Sequence, residues 1–417
     1  MKIVMFTDAY WPRVNGVTVS VDSFSHALLR AGHEVLIVCS FYPDAASVER
    51  IASESEHEHP NVYVPGERKS GEPEVIRVPS MPLFLSKEDR LAKLHKWFWV
   101  SKQIDLFAPD ILHINSEFVI AEFGFQYARR NNLPAVYTFH TLWEDYAVNY
   151  FPMVPVFLLK FFARRYLKYV INKAYLIIVP TVQIREVIKK YNIKKQIHLL
   201  PTGIDPRIFE HERAEVDRFR NIMEQKYPAL KGKRILLFAG RIAKEKNLDF
   251  LLALVPRIRE KHPETVFLFV GNGPDLSYFQ KECEEQGIEE HCVFTGYLSR
   301  QDLALTYAIS HIFVFPSLTE TQGLVTIEAM LSGTPVVAIG EMGTIMVMGG
   351  NNGGFMVKND PEEFTRRVFD LLEDPDLYQR KAAEAKVHAK AWTIDSLTEK
   401  LVQIYRAAIK SFPPKKS

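Results

Sequence analysis

The chain has 417 residues, 47% of them hydrophobic and 24% charged, with a formal net charge of +2. This length predicts two or three domains, and this composition excludes a wholly disordered chain and a whole-molecule field that would call for nucleic acid. Three cysteines (Cys39, Cys283 and Cys292) with no CxxC pair exclude a disulfide framework and a cysteine zinc site, and point to a reduced, cytoplasmic setting.

Residues 2–7 read as a buried strand whose apolar run is too short for a signal-peptide core. A helix is expected over 18–31, with Thr18 as N-cap and Gly32 just past its end, then a strand over 34–40. Residues 43–75, with Pro43, Pro60, Pro65 and Pro73, read as a long polar excursion. Short apolar runs follow at 111–115, 135–139, 176–180 and 197–200, with helical patterns between them. The alternation breaks over 201–233 and restarts with strands at 234–239, 266–270, 292–295, 312–316 and 335–339. Helices are expected at about 247–261, 274–286, 301–309 and 323–332, and a helical tail over 360–411. This is α/β repetition with mostly parallel sheets. It predicts two α/β domains in tandem, 1–203 and 204–392, followed by a C-terminal helix and tail, 393–417. No run approaches the ~20 apolar residues of a membrane span. Ligands of open α/β sheets sit at the carboxyl ends of strands, and two such sheets facing each other would make a cleft.

The strongest chemical signal is Phe315-Pro-Ser-Leu-Thr-Glu320-Thr-Gln-Gly323-Leu-Val-Thr-Ile-Glu328-Ala-Met-Leu-Ser-Gly333-Thr-Pro-Val-Val337. A buried strand ends, a loop follows, and a helix opens near Gly323. A helix N-terminus offers free N–H groups and a positive dipole end, which suit phosphate. Two carboxylates flanking that phosphate can accept hydrogen bonds from hydroxyls on either side, as in a nucleotide sugar. Taken alone, Glu320 could equally cap the helix and Glu328 could be a solvated face residue. Arg241 follows a strand and Gly240, so its fork can hold two phosphate oxygens, and Lys246 adds a point charge. Gly271 and Gly273 allow close backbone approach, although a GxG by itself is usually a turn. The chain supplies no GxGxxG in these segments, which disfavours a dinucleotide dehydrogenase. His140 ends a strand and is followed by Glu144 and Asp145, weaker candidates for acceptor hydroxyls. Asp374-Pro-Asp376 reads as a turn and N-cap rather than a metal site.

The E-x7-E spacing with its flanking Pro-Ser and Gly-Thr-Pro-Val-Val resembles the signature of retaining GT-B glycosyltransferases of family four. Phe238-Ala-Gly-Arg241-Ile-Ala-Lys-Glu-Lys246, Val270-Gly-Asn-Gly273, Leu200-Pro-Thr-Gly-Ile-Asp205 and Phe6-Thr-Asp-Ala-Tyr-Trp-Pro-Arg-Val-Asn15-Gly16-Val17 resemble other segments of that family in order and spacing. The resemblance implies two Rossmann-like domains facing across a cleft, with the C-terminal helix returning to the first. It implies a nucleoside diphosphate sugar as donor substrate, no required cofactor and no metal. It assigns the sugar hydroxyls to Glu320, the ribose to Glu328, and the diphosphate to Arg241 and Lys246. Gly16, Val17, Gly240, Gly271, Gly273, Gly323, Leu324 and Val325 would line the donor, the base would lie near Tyr297 and Leu298, and His140 would orient the sugar or the acceptor. Glu320-Thr-Gln-Gly323 replaces the family's commoner Glu-Gly-Phe-Gly, and the segment 342–349 departs from its pattern. That variant, with Tyr137-Thr-Phe-His140-Thr, looks like bacterial diacylglycerol glucosyltransferases. The alternatives are a same-fold transferase using GDP-mannose or UDP-galactose with phosphatidylinositol or a soluble sugar, and a membrane scaffold without turnover.

One charge asymmetry supports a lipid setting. Between residues 160 and 198 lie Lys160, Arg164, Arg165, Lys168, Lys173, Arg185, Lys189, Lys190, Lys194 and Lys195, against the single acid Glu186. Residues 155–173 read as one helix in which Lys160, Arg164 and Lys168 form an i, i+4 stripe sharing its sector with Phe157 and Phe161. The opposite side, Leu158, Leu159, Phe162, Tyr166, Tyr169 and Val170, is expected to pack on the sheet. Cations interleaved with rings suit an anionic bilayer surface, with Ser80–Leu85 and Trp97–Trp99 extending the apolar rim, and place the protein peripherally on the inner face of the cell membrane. No nucleic-acid-binding module accompanies the basic stretch.

Overall fold

The computed structural model describes residues 1–13, 16–42, 71–83, 86–140, 156–191, 193–320 and 322–414. They form two compact units, one of residues 1–203 with 394–417 and one of residues 204–393.

The first unit runs β1 (Lys2–Thr7), α1 (Gly16–Arg30), β2 (Glu34–Ser40), β3 (Glu74–Val78), β4 (Ser80–Leu83), β5 (Ser86–Ala92), α2 (Trp97–Phe107), β6 (Ile111–Ile114), α3 (Val119–Asn131), β7 (Ala135–Thr138), α4 (Val156–Lys173), β8 (Leu176–Val179), α5 (Val182–Lys190) and β9 (Ile197–Leu199). Its parallel sheet has the order β3-β2-β1-β6-β7-β8-β9, and β4 and β5 form a separate antiparallel pair. Val4 and Phe6 of β1 enter the core under α2 to α5, while Ile3 and Met5 enter the core under α1. Both faces of the strand are covered, which is why it reads as an unbroken apolar run.

The second unit runs α6 (Arg213–Lys226), β10 (Arg234–Ala239), α7 (Leu248–Lys261), β11 (Thr265–Val270), α8 (Leu276–Glu285), β12 (Cys292–Gly296), α9 (Arg300–Ile309), β13 (Ile312–Phe315), α10 (Leu324–Leu331), β14 (Val336–Ile339), α11 (Met342–Met348), β15 (Gly354–Val357), α12 (Pro361–Glu373) and α13 (Pro375–Ala389). Its sheet order, β12-β11-β10-β13-β14-β15, is the doubly wound order with a reversal between β10 and β13. The first unit has its reversal between β1 and β6. Each unit is thus Rossmann-like, and each has one place where loops leave neighbouring strands in opposite directions.

The last helix, α14 (Ile394–Ser411), packs on α1 and buries Leu397, Leu401, Val402, Tyr405 and Ala408 in the first unit. Its Tyr405 hydroxyl lies 2.6 Å from His113 Nδ1, and His113 Nε2 lies 2.6 Å from Thr138 Oγ1. Burial and the neighbouring His140 push the His113 pKa down to about 3.

Three readings are corrected here. The first helix opens at Gly16, and Thr18 lies inside its first turn, donating to the Arg13 carbonyl at 2.7 Å instead of capping. The expected excursion over 43–75 overlaps the start of β3, an edge strand whose Glu74 and Arg77 interrupt the apolar run. The strand β15 and the helix α11 have no counterpart in the sequence reading, because each is short and glycine-flanked.

The histidine burial has a pH consequence. A folded-state pKa below the unfolded value of about 6.5 favours the neutral form, so the contribution is complete above that value and is lost as pH falls from there toward the folded pKa. Denaturant titration should show unfolding free energy flat above neutrality and falling below pH ~6.5 by about 1.4 kcal/mol per unit per buried histidine. His113→Asn should remove part of that slope.

Candidate active site

The loops leaving β10 and β13 meet where the second sheet reverses. After β10, Gly240 and Arg241 lead to a short turn, Lys244–Lys246, and Asn247 adopts the left-handed conformation that starts α7. After β13, Pro316 to Gly323 lead into α10. Lys246 Nζ lies 2.9 Å from Glu320 Oε2, with both side chains largely buried at 17% and 22% exposure. Two further bonds tie the loops: Asn247 Nδ2 donates to the Pro316 carbonyl at 3.2 Å, and Thr319 Oγ1 donates to the Glu245 carbonyl at 3.2 Å. The Gly343 N–H donates to the Glu320 carbonyl at 2.8 Å, so α11 holds Glu320 from behind.

Gly323 caps α10 with φ of +69°, and an added Cβ would come to 3.0 Å from Val347. Glycine is thus required both by conformation and by α11. Glu328 lies in the second turn of α10, half-buried. Burial raises its pKa, opposed by a hydrogen bond from the Tyr307 hydroxyl at 3.0 Å and by the charge of Arg300. Arg241 is open to solvent and 3.6 Å from Glu245. Gly271 and Gly273 owe their identity to the chain itself. A Cβ at Gly271 would lie 1.9 Å from the Gly240 carbonyl oxygen, and one at Gly273 would lie 2.0 Å from that of Ile242. These glycines clamp the backbone on both sides of Arg241. Tyr297 is exposed and Leu298 is half-buried against the core of this unit.

The first unit has its own polar cluster at its reversal point. Asp8, after β1, accepts from the Phe118 and Ile120 N–H groups, both at 3.1 Å, at the start of α3. Burial nevertheless raises the Asp8 pKa. His140 Nε2 donates to Asn115 Oδ1 at 3.2 Å, and burial lowers its pKa to about 4. The ring is neutral at working pH, with its proton on Nε2 and Nδ1 as an acceptor. Glu117 is buried and takes the Tyr137 hydroxyl at 2.6 Å.

Two family descriptions match: residues 14–208 to "Glycosyltransferase Family 4" and residues 219–388 to "Glycosyl transferases group 1". The chain belongs to the GT-B glycosyltransferases of family four. It is similar to the alpha-monoglucosyldiacylglycerol synthase of Streptococcus pneumoniae, at 29% identity over 82% of this chain and 71% of that protein. It is also similar to the synthase of the same name from Acholeplasma laidlawii, at 25% identity over 97% and 96%. Among solved structures, the Anabaena HepE protein in complex with UDP matches with a TM-score of 0.70 at 15% identity, over 98% of this chain and 100% of that one. Sucrose-phosphate synthase from Thermosynechococcus elongatus matches at 0.67 and 20% identity, over 98% and 99%. These likenesses show the shared fold.

In this glycosyltransferase the second unit brings together Glu320, Lys246, Gly323 and, by the Gly271–Gly273 clamp, Arg241. Gly16 and Val17 open α1, while Glu144 and Asp145 lie outside the described residues. Asp374 caps α13, accepting from the Leu377 N–H at 2.9 Å, as a turn and N-cap. Sequence reasoning missed Asp8, Asn115, Glu117 and Tyr307. Asp8 and Asn115 follow directly on buried strands and Glu117 lies two residues beyond Asn115, and polar residues in that place are the signal that could have found them.

The helix α4 carries Phe157, Phe161, Arg164, Arg165 and Lys168 on exposed positions, and Lys160 in the same span. The expected inward face is corrected. Leu158, Phe162, Tyr166 and Tyr169 are exposed, Leu159 is half-buried, and of that face only Val170 is buried. The sheet contact falls instead on Leu167, Val170 and Ile171 in the last turns. The strands β7 and β8 have four residues each, a height of about 13 Å. An 18-residue helix is about 27 Å long, so its first turns have no sheet beneath them. Among the described residues, no helix is long and apolar enough to cross a membrane.

Gly273→Ala should force the 240–242 loop outward. The expected loss is about 1–3 kcal/mol in the unfolding of the second unit, measured by denaturant titration.

Proposed function

We propose that this glycosyltransferase moves glucose from UDP-glucose to diacylglycerol on the inner face of the cell membrane, with retention of anomeric configuration. The observation that carries the lipid acceptor is the start of α4, where Phe157, Phe161 and Phe162 stand 72%, 57% and 61% exposed beside Arg164, Arg165 and Lys168. Phenyl rings held in water beside cations suit an interface in which rings enter the acyl boundary and cations meet lipid phosphate. On the same sheet face, α2 exposes Phe98 and Trp99. The two similar proteins named alpha-monoglucosyldiacylglycerol synthase support this acceptor and glucose as the sugar. The UDP complex of the HepE structure supports a uridine donor.

In this reading Glu320 takes the sugar hydroxyls and Glu328 the ribose. Arg241 and Lys246 take the diphosphate, together with the opening of α10 at Gly323, Leu324 and Val325. These cations and N–H groups supply the charge that the leaving diphosphate needs, so the transfer is proposed to require no divalent ion. The uracil lies along the backbone near Tyr297 and Leu298. Neutral His140 orients the sugar or the acceptor through a hydrogen bond. The leaving phosphate oxygen accepts the proton of the attacking glycerol hydroxyl on the same face of the sugar, which retains configuration. The Lys246–Glu320 pair means that the donor enters between two charges that already compensate each other, and each gains a new partner.

Purified protein with diacylglycerol vesicles and UDP-glucose, GDP-mannose or UDP-galactose should yield monoglucosyldiacylglycerol by mass spectrometry with the first donor alone. Glu320→Ala should reduce that product by on the order of 100-fold or more. Unchanged product from Glu320→Ala, or mannolipid as the product, would overturn the assignment. Phe157→Ser with Phe161→Ser should weaken co-sedimentation with phosphatidylglycerol vesicles by about tenfold while leaving UDP binding intact. The residual binding should fall as salt rises, because the exposed cations are screened.

A further inference from the structure

Tyr307 in α9 is fully buried, with its ring centroid 6.2 Å from that of Phe209 and 5.6 Å from that of Phe313. Its backbone is pinned as well, since its carbonyl accepts from Thr334 Oγ1 at 2.7 Å. The hydroxyl is therefore held by the core of the second unit, and it donates to Glu328 Oε2 at 3.0 Å. Burial and the adjacent carboxylate push the phenol pKa well up, so the group is a neutral donor at any working pH.

An ionised carboxylate has about four acceptor positions on two oxygens. Among the described residues, the Tyr307 bond is the one hydrogen bond that the Glu328 carboxylate receives. One oxygen is thus committed to the protein and the other has its acceptor capacity in hand. A glutamate on the second turn of a helix has three rotatable side-chain bonds, and an anchored oxygen removes most of that freedom before any ligand arrives. A buried tyrosine hydroxyl needs an acceptor, and the acceptor here is a carboxylate on another helix. Phenylalanine would fill the same volume without placing a hydroxyl there.

We propose that Tyr307 is a positioning residue for the donor: it fixes Glu328 so that the second carboxylate oxygen accepts from the vicinal hydroxyls of the nucleoside ribose. The inference rests on the donor-site reading above. It adds to that reading a core residue that never touches substrate and yet sets affinity for the sugar nucleotide.

The test uses the full chain and calorimetric titration with UDP and with GDP, each also as its 2′,3′-dideoxy form. The wild type, Tyr307→Phe, Glu328→Gln and the double variant are compared. Tyr307→Phe should weaken the diphosphate that the wild type binds by roughly five- to tenfold, within the range of one ordinary hydrogen bond. It should raise KM for the sugar nucleotide by a similar factor and leave kcat within about twofold. Against the dideoxy form, Tyr307→Phe and wild type should bind equally, and the double variant should bind no worse than Glu328→Gln alone. An equal loss against the dideoxy form, a fully additive double variant, or no loss at all would overturn the proposal. A wild type that binds neither diphosphate would overturn the donor-site reading and this proposal with it. A wild type that binds while Tyr307→Phe behaves as wild type overturns the proposal alone.

Discussion

A lysine ammonium and a glutamate carboxylate 2.9 Å apart, on loops from two adjacent parallel strands, organise the second unit. Neither loop is free to place its charge alone. The lysine loop is clamped by Gly271 and Gly273 and turned by a left-handed Asn247, and the glutamate loop is backed by the Gly343 N–H. A partly buried pair of this kind gives little net stability, because desolvation offsets most of the attraction. Its removal from one side is costly, since the partner is left in a poor dielectric without compensation. A pair with those properties is better understood by the ligand charges it can meet than by the fold it holds.

The two units reach the same solution with different chemistry. Where the first sheet reverses, the groups are neutral or committed: Asp8 is spent on the N–H groups of α3, and His140 is held as a neutral ring by Asn115. Where the second reverses, a lysine, an exposed arginine and two glutamates are gathered. The division is between a neutral cluster whose groups satisfy one another and a charged cluster that leaves a guanidinium in solvent. That division follows from which residue types terminate the strands.

Much of this was legible in the residues. Strands covered on both faces announce themselves as apolar runs, and the spacing from Glu320 to Glu328 puts both carboxylates by one helix opening. What escaped had specific causes. Glu74 and Arg77 mask β3 because an edge strand needs no continuous apolar run. Thr18 looks like a cap because its hydroxyl does bond backbone, but to a carbonyl five residues earlier. The face of α4 was misassigned because a helical wheel assumes a neighbour along the whole length, and four-residue strands do not provide one. Tyr307 gives no sequence signal, since a tyrosine in an apolar helix is usually core, and only the position of its hydroxyl reveals a second role.

The helix α14 belongs to the first unit although it follows the second in the chain. During synthesis, residues 204–393 are continuous and can condense as soon as they emerge, whereas the earlier half must wait for the strap that carries Tyr405 to reach His113. Until then one side of β1, with Ile3 and Met5, lacks part of its cover. The middle of the chain thus closes its own core, whereas a first unit deprived of residues 394–411 would leave Ile3 and Met5 bare on one side and open to unwanted association.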